Sequence, residues 1–377
     1  MVHNPHFPSG HGLRPAAHRT GCDPPMRLPS DVESAQGFCR AALPEVSRTF
    51  ALNIPLLPAP LDLAVTVAYL LCRIADTLED ESAASAADRR PLMDEFARLC
   101  ALPSDWPLAA ERFATTAVAA LRPAAPPAEV RLVRGTARVL ETVAALPPWV
   151  RTHVARCVRD MTAGMAQVLE RVERQGHALG LVDLNETLTY CYYVAGTVGE
   201  MLTGLFAGYA PSVAARLPEL ESRAAAFGRA LQLTNILKDI REDRERGSCW
   251  LPRTLMARHG LTADNLLAHD HRAAALELLD ELLAVAHREA EVSFEYTLLL
   301  PAEEKGIRLF CLWPLFFAVL TLRALRGNPE VFSGPPVKIS RAAVKRVMVF
   351  TRALVDKDWA LRVAFRTYTA GLPLPAA

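Results

Sequence analysis

Two short acidic runs constrain this chain more than any other feature. Asp76, Glu79 and Asp80 in DTLED recur, with the same spacing, as Asp239, Glu242 and Asp243 in DIRED. On an α-helix, positions i, i+3 and i+4 are neighbours, so each run stacks three carboxylates on one face. Stacked like charges repel, and folding alone does not call for them; cations lying between them do. The flanks are apolar at helical spacing: Val65, Ala68, Leu71, Cys72 and Ala75 before the first run, and Leu231, Leu233, Ile236, Leu237 and Ile240 around the second. Two acidic faces on apolar helices can line one cavity from opposite walls. Carboxylates without His or Cys companions suit Mg²⁺, which takes one or two of them together with waters and substrate phosphates. One such run alone reads as a solvated helix face. Two, the second beside Gln232, Asn235 and Lys238, read as a divalent-cation site.

The rest of the chain predicts an all-α fold, a single large helical bundle with a central cavity over residues 31–360. No strand-like alternation longer than a few residues occurs, and no internal repeat beyond the acidic pair. Residues 1–30, rich in Pro, His and Gly, are expected to lack fixed structure, and 361–377 to form a C-terminal tail. Helices are expected from Asp31 to a break at Leu43–Pro44, over 61–79 after Pro58 and Pro60, and from Pro147–Pro148 to about Arg174. Further ones are expected from the capping-box spacing of Asp183 and Glu186, over 273–296, and after Ser340. The helix carrying the second acidic run should end at Gly247 and Pro252. The apolar run 309–322, interrupted by Pro314, is short for a bilayer span and reads as a core helix. A net charge of +1 excludes the basic excess of a nucleic-acid binder, and eight scattered cysteines without a CxxC pair predict reduced thiols in a cytoplasmic protein.

Other candidates stand around the acidic runs. Ser47, Arg48 and Thr49, in Val-Ser-Arg-Thr-Phe, offer hydroxyls and a guanidinium to an anion, or simply open a helix. Arg73, one turn before Asp76 and one turn after Tyr69, is a structural ion-pair partner or a phosphate ligand. The small residues Ala195, Gly196, Thr197 and Gly199 let a second helix or a chain-like ligand approach, and Tyr192 and Tyr193 are core packing or part of a site. Two Mg²⁺-binding faces around an apolar, aromatic cavity suit a substrate with a diphosphate head and a hydrocarbon tail. Metal ions make the diphosphate a leaving group, and a dry pocket with π faces protects the carbocation left behind.

DTLED, Tyr-Cys-Tyr-Tyr-Val-Ala-Gly-Thr-Val-Gly from Tyr190, and Gln-Leu-Thr-Asn-Ile-Leu-Lys-Asp-Ile-Arg-Glu-Asp from Gln232 resemble the signatures of the squalene/phytoene synthases, which join two prenyl diphosphates head to head. The resemblance runs from about residue 36 to 350 and implies the class I isoprenoid synthase bundle. Segments 161–166, 310–314 and 331–339 resemble squalene synthases more than phytoene synthases. The resemblance implies Mg²⁺ and NADPH as cofactors and farnesyl diphosphate as substrate, condensed to presqualene diphosphate and reduced to squalene. It assigns Tyr190 to proton handling and Phe310 to the cation of the second half-reaction. Metal positions match Asp76, Glu79, Asp80, Asp239, Glu242 and Asp243. Diphosphate positions match Ser47, Arg48, Tyr69, Arg73, Gln232, Asn235 and Lys238, and cofactor positions Lys338 and Arg341. Three departures stand out: Lys238 where the family usually has Arg, Ser248 where an Arg often follows the glycine, and Ser340 where squalene synthases tend to carry Arg. They keep open a non-reductive exit to dehydrosqualene or hydroxysqualene, or phytoene from a longer substrate. A single-substrate terpene cyclase and a non-catalytic subunit are disfavoured, because the second run lacks the cyclase Asn-Ser-Glu pattern and both triads are intact. Peripheral contact with the cytoplasmic membrane is expected; oligomeric state is not encoded in any motif.

Overall fold

The computed structural model describes residues 30–175 and 179–374; the segment expected to lack structure lies outside them, apart from Ser30. In chain order the helices that frame the site and the core are α1 (Ser30–Val46), α2 (Leu61–Asp80), α3 (Ala86–Cys100), α4 (Trp106–Ala120), α5 (Pro127–Arg134), α6 (Thr136–Ala144), α7 (Pro148–Gln175) and α8 (Leu184–Cys191). They continue as α9 (Thr197–Tyr209), α10 (Leu217–Lys238), α11 (Ile240–Glu245), α12 (Arg272–Leu299), α13 (Lys305–Leu325), α14 (Arg341–Leu354) and α15 (Asp358–Thr369). Among the described residues there is no strand, only two isolated bridges. The fold is all-α.

The structure corrects the helix boundaries at four places. Pro44 does not end α1, which runs to Val46 and closes with Ser47 N–H donating to Leu43 O (2.9 Å). A proline frees the carbonyl four residues before it, and here that residue, Arg40, is exposed to water. Between α8 and α9 the expected continuous helix widens into a π-turn, Tyr192–Gly196. The second acidic run is bent at Asp239 (φ −105°, ψ 14°), which separates α10 from α11. Residues 361–369, expected in a tail, belong to α15, whose Phe365 stacks on Phe294 at 4.2 Å.

Helix α10 packs against α9, α12, α13 and the π-turn. Its approach answers the question posed by the small residues: a side chain on Gly228 would overlap the Ala195 carbonyl, and one on Gly199 the Ala224 carbonyl. The small stripe therefore admits a helix, at backbone contact. Helix α13 is long and apolar enough to cross a membrane by length and composition, yet 78% of its most apolar window is buried. It is a core helix because its neighbours cover it, not because it is short. Arg308 within it is 1% exposed, donating to Val355 O, Leu298 O and Asp358 (2.7, 3.2 and 2.6 Å), and Trp313 Nε1 donates to Thr351 Oγ1 at 3.0 Å. These bonds offset much of the desolvation of the two side chains, with Arg308 Nε left buried and without an acceptor.

Candidate active site

The apolar stripe of α2 is buried, which leaves Asp76 half-buried and Asp80 exposed at its acidic end. Successive helical residues lie about 100° apart, so Glu79 and Asp80 cannot face the same point. Asp76 and Asp80 share one side. Glu79 is 5% exposed and turns to Tyr190, whose hydroxyl donates to Glu79 Oε1 at 3.4 Å. Burial, then Asp80 and Asp76, push the Glu79 carboxyl well above the usual range, against the pull of Arg89. Arg89 also closes the helix end, donating to Glu79 O (2.6 Å) and Ala84 O (2.9 Å). Arg73 lies 3.9 Å from Asp76, donates from Nη2 to the Tyr69 hydroxyl (3.1 Å), and leaves its buried Nε without an acceptor. Tyr69 in turn donates to Val46 O at 3.4 Å, tying α2 to the end of α1.

The second run is divided the same way. Asp239 receives Lys238 Nζ at 3.1 Å, and Asn235 O accepts from the Asp239 amide (2.9 Å). Asp243 lines a narrow hollow with Ile236, Ile240 and Trp250, whereas Glu242 faces a separate groove with Lys238, Arg241 and Val337. Asp243 is pushed up to about 7 by burial, then by Asp239 and by Asp80 of the other run, and Tyr190, bonded to Glu79, stacks on the Trp250 that lines the hollow with Asp243, so the two runs converge. Trp250, just beyond α11, stacks on Tyr190 at 4.3 Å and 2° and fastens the two sides together.

Asp76, Asp80, Asp239 and Asp243 are the carboxylates that fit a cation. Asp76 Oδ1 is buried with no donor, and burial drives that carboxyl up to about 7 despite Arg73. Asp239 is raised too, first by burial, and Asp80 is raised by the desolvation of its surroundings although its side chain reaches solvent. Among the described residues no three His, Cys, Asp or Glu side chains stand close enough to hold a metal alone.

Three participants carried no sequence signal. Glu129, on α5, accepts from Thr77 Oγ1 at 3.2 Å and adds its negative charge to Asp76 and Asp80. Arg246, at the end of α11, pulls down the carboxyls of Asp80, Asp239 and Asp243, so its charge faces both runs. It stands two residues before Ser248, the position where the expected arginine is missing. Trp250 is the third. Long-range packing brings Glu129 to the site, and it turns Arg246 and Trp250, close to the second run in the chain, toward the first.

The other candidates are distributed around it. Ser47 Oγ accepts from Phe50 N–H (3.0 Å) at the start of a one-turn helix, Phe50–Asn53, and Arg48 is exposed. Gln232 is half-buried and Asn235 exposed, on α10 ahead of Asp239. Rings run inward from Tyr69 to Phe50 (5.0 Å), to Phe310 (6.4 Å) and to Phe206 (6.0 Å). Phe310 is 2% exposed, and its carbonyl accepts from Asn53 Nδ2 at 3.2 Å, leaving the buried Asn53 Oδ1 unpartnered. Tyr192 and Tyr193 turn elsewhere, into an open hollow with Arg90, Asp160 and Gln167. Lys338 and Arg341 are exposed, beside the segment through Val337 that borders Lys238 and Glu242. Ser340 Oγ caps α14 by accepting from Ala343 N–H at 3.1 Å.

The squalene/phytoene synthase family model matches residues 43–343. Squalene synthase 1 of Arabidopsis thaliana is 28% identical over 85% of this chain and 72% of its own length; the Homo sapiens squalene synthase is 29% identical over 84% and 70%. A solved complex of TcSQS with the ligand E5700 superposes with a TM-score of 0.73 at 25% identity, covering 89% of this chain and 92% of that one. A ligand-bound dehydrosqualene synthase gives 0.60 at 23%, over 86% and 98%. With a family model spanning most of the chain and both acidic runs converging in an all-α bundle, this protein belongs to the squalene/phytoene synthase family, whose members are prenyltransferase-type enzymes.

Proposed function

We propose that this chain condenses two farnesyl diphosphates head to head to presqualene diphosphate and reduces that intermediate to squalene with NADPH. The observation that carries the reading is the link from Glu79 of the first run through Tyr190 to Trp250, which shares a hollow with Asp243 of the second, together with one buried, unpaired oxygen on Asp76. Asp76, Asp80, Asp239 and Asp243 would hold Mg²⁺, which supplies charge neutralisation for the departing diphosphate. Arg73, Lys238 and Arg246 add fixed positive charge around that leaving group, with Arg246 standing in for the arginine absent at Ser248.

Ionisation of one farnesyl diphosphate gives an allyl cation, the double bond of the second captures it, and loss of one proton closes the cyclopropane. We assign that proton to the Tyr190–Glu79 pair. Burial first, then Glu79 and the neighbouring aspartates, holds the Tyr190 phenol protonated, and its hydroxyl already donates to a carboxylate of raised proton affinity. The phenol oxygen can take up the proton as it passes its own to Glu79. Phe310 and its neighbouring rings provide the apolar, π-rich surroundings a cation needs. Lys338 and Arg341 would hold the phosphates of NADPH, which supplies hydride; both are exposed cations near the groove beside Glu242.

A second reading keeps the condensation and drops the reduction. It is favoured by Ser340, whose side chain carries no charge and is committed to capping α14. The test is product identification by mass after incubation with farnesyl diphosphate and Mg²⁺, with and without NADPH. Squalene only with NADPH, and presqualene diphosphate without it, is the expected result. The same product in both arms would sink the reductive reading and leave dehydrosqualene or an alcohol.

A further inference from the structure

Asn53, at the end of the one-turn helix Phe50–Asn53, is 0% exposed, and the fold treats the two ends of its amide differently. Its Nδ2 donates to the carbonyl of Phe310 at 3.2 Å. In a regular helix that carbonyl would accept from the amide of residue 314, but residue 314 is Pro, buried inside α13, and has no N–H to give. Asn53 supplies the missing donor from a distant part of the chain. The turn that follows, Ile54–Leu56, holds the same seam shut, since a side chain on Gly306 near the start of α13 would overlap the Leu56 carbonyl.

Pro314 accounts for the nitrogen and leaves the oxygen unexplained. Asn53 Oδ1 is buried and finds no donor among the described residues. An unsatisfied carbonyl oxygen in an apolar core costs stability, and an apolar side chain of the same size carries no such cost. The surroundings show what could use it. Phe50 and Asn53 stand at i, i+3 and both reach Phe310, one by its ring at 6.4 Å and the other by its amide. Tyr69 lies 5.0 Å from Phe50 on one side, and Phe206 6.0 Å from Phe310 on the other. The free oxygen is thus the negative end of a fixed dipole, set beside the rings to which the proposed reaction commits its carbocation. A fixed dipole in a dry site stabilises charge that develops next to it without reorganising at the moment of reaction.

We propose that Asn53 assists the second ionisation, its amide nitrogen holding Phe310 in position and its unpaired oxygen offering a negative dipole to the cation that forms beside that ring. In that step the C–O bond of presqualene diphosphate breaks, the electron pair leaves with the diphosphate, and Asn53 itself forms no bond. The role rests on the two-step reaction proposed above and deepens its second step. The test separates the steps: formation of presqualene diphosphate from farnesyl diphosphate, and consumption of presqualene diphosphate supplied as substrate with NADPH, read as released diphosphate so that every exit is counted. Asn53→Leu should slow consumption at least about tenfold and leave formation near the wild-type rate. That change also strips the Phe310 carbonyl of its donor, so it is repeated with Pro314→Ala, which returns a backbone N–H to the helix, and Pro314→Ala alone is the packing control. The double variant should melt no lower than Pro314→Ala and still consume presqualene diphosphate slowly. Equal slowing of both steps, or no slowing in Asn53→Leu, would overturn the proposal. So would full recovery of consumption in the double variant, which would make Asn53 a hydrogen-bond donor and nothing more. Failure of the wild type to consume presqualene diphosphate would overturn the two-step reaction itself, an outcome read before any variant is made.

Discussion

Asp76→Asn should make the metal-free protein more stable at pH 8 while abolishing its response to Mg²⁺. The Asp76 carboxyl, at 3.8 in an ordinary setting, is pushed up to about 7 by burial, with Asp80 and Glu129 adding to the effect and the attraction of Arg73 already counted. A carboxyl whose folded pKa lies above its unfolded one binds more protons folded than unfolded across that window. Stability is therefore lost as pH rises from about 4 to 7. At about 1.36 kcal/mol per tenfold change in acidity, the ionised carboxylate costs roughly 4 kcal/mol above pH 7. The side chain is 25% exposed, and screening takes this to about 2 kcal/mol. Unfolding entropy of about 2 cal/mol/K per residue over 377 residues converts that to a rise of about 3 °C in Tm. The assay is differential scanning calorimetry in EDTA at pH 8 and pH 4.5, then at pH 8 with Mg²⁺. The variant should melt about 3 °C higher than wild type at pH 8 in EDTA, with most of the gap gone at pH 4.5. Added Mg²⁺ should raise only the wild type appreciably. A variant less stable than wild type at pH 8, or a gap indifferent to pH, would refute the idea that a cation discharges buried repulsion here.

Three further outcomes follow from the same geometry. Tyr190→Phe keeps the ring stacked on Trp250 and removes only the hydroxyl that donates to Glu79; kcat should fall about 10²–10⁴-fold with the thermal midpoint nearly unchanged, as steady-state kinetics and calorimetry will show. Arg246→Ser should raise KM for the prenyl diphosphate about tenfold by removing the cation that faces both acidic runs, and adding Ser248→Arg should recover part of the loss. Gly228→Ala should cost about 2–4 kcal/mol in denaturant titrations, because the new methyl meets the Ala195 carbonyl and backbone cannot step aside as a side chain can.

Much of this was legible before any coordinates. Helical periodicity and punctuation by Pro and Gly marked most helices, because these signals act within a turn or two of chain. The Asp183 cap is such a case: its Oδ1 accepts from Glu186 N–H at 2.9 Å, as the spacing required. Spacing was less able to say where neighbouring carboxylates point. Glu79 and Glu242 belong to the acidic runs by sequence, yet one turns to Tyr190 and the other to a groove with Lys238, because a helix rotates each residue about 100° from the last.

The sequence by itself determined the fold class, the acidic pair and the family, since all three rest on local pattern and motif order. Only the tertiary structure decided which carboxylates converge, that α10 rather than a ligand fills the space beside Gly196 and Gly199, and that Glu129, Arg246 and Trp250 join the site. Glu129 comes from another helix, and Arg246 and Trp250, close to the second run in the chain, reach the first only through how apolar faces pack across the bundle. A pattern that decays over a few turns of chain holds no record of that packing.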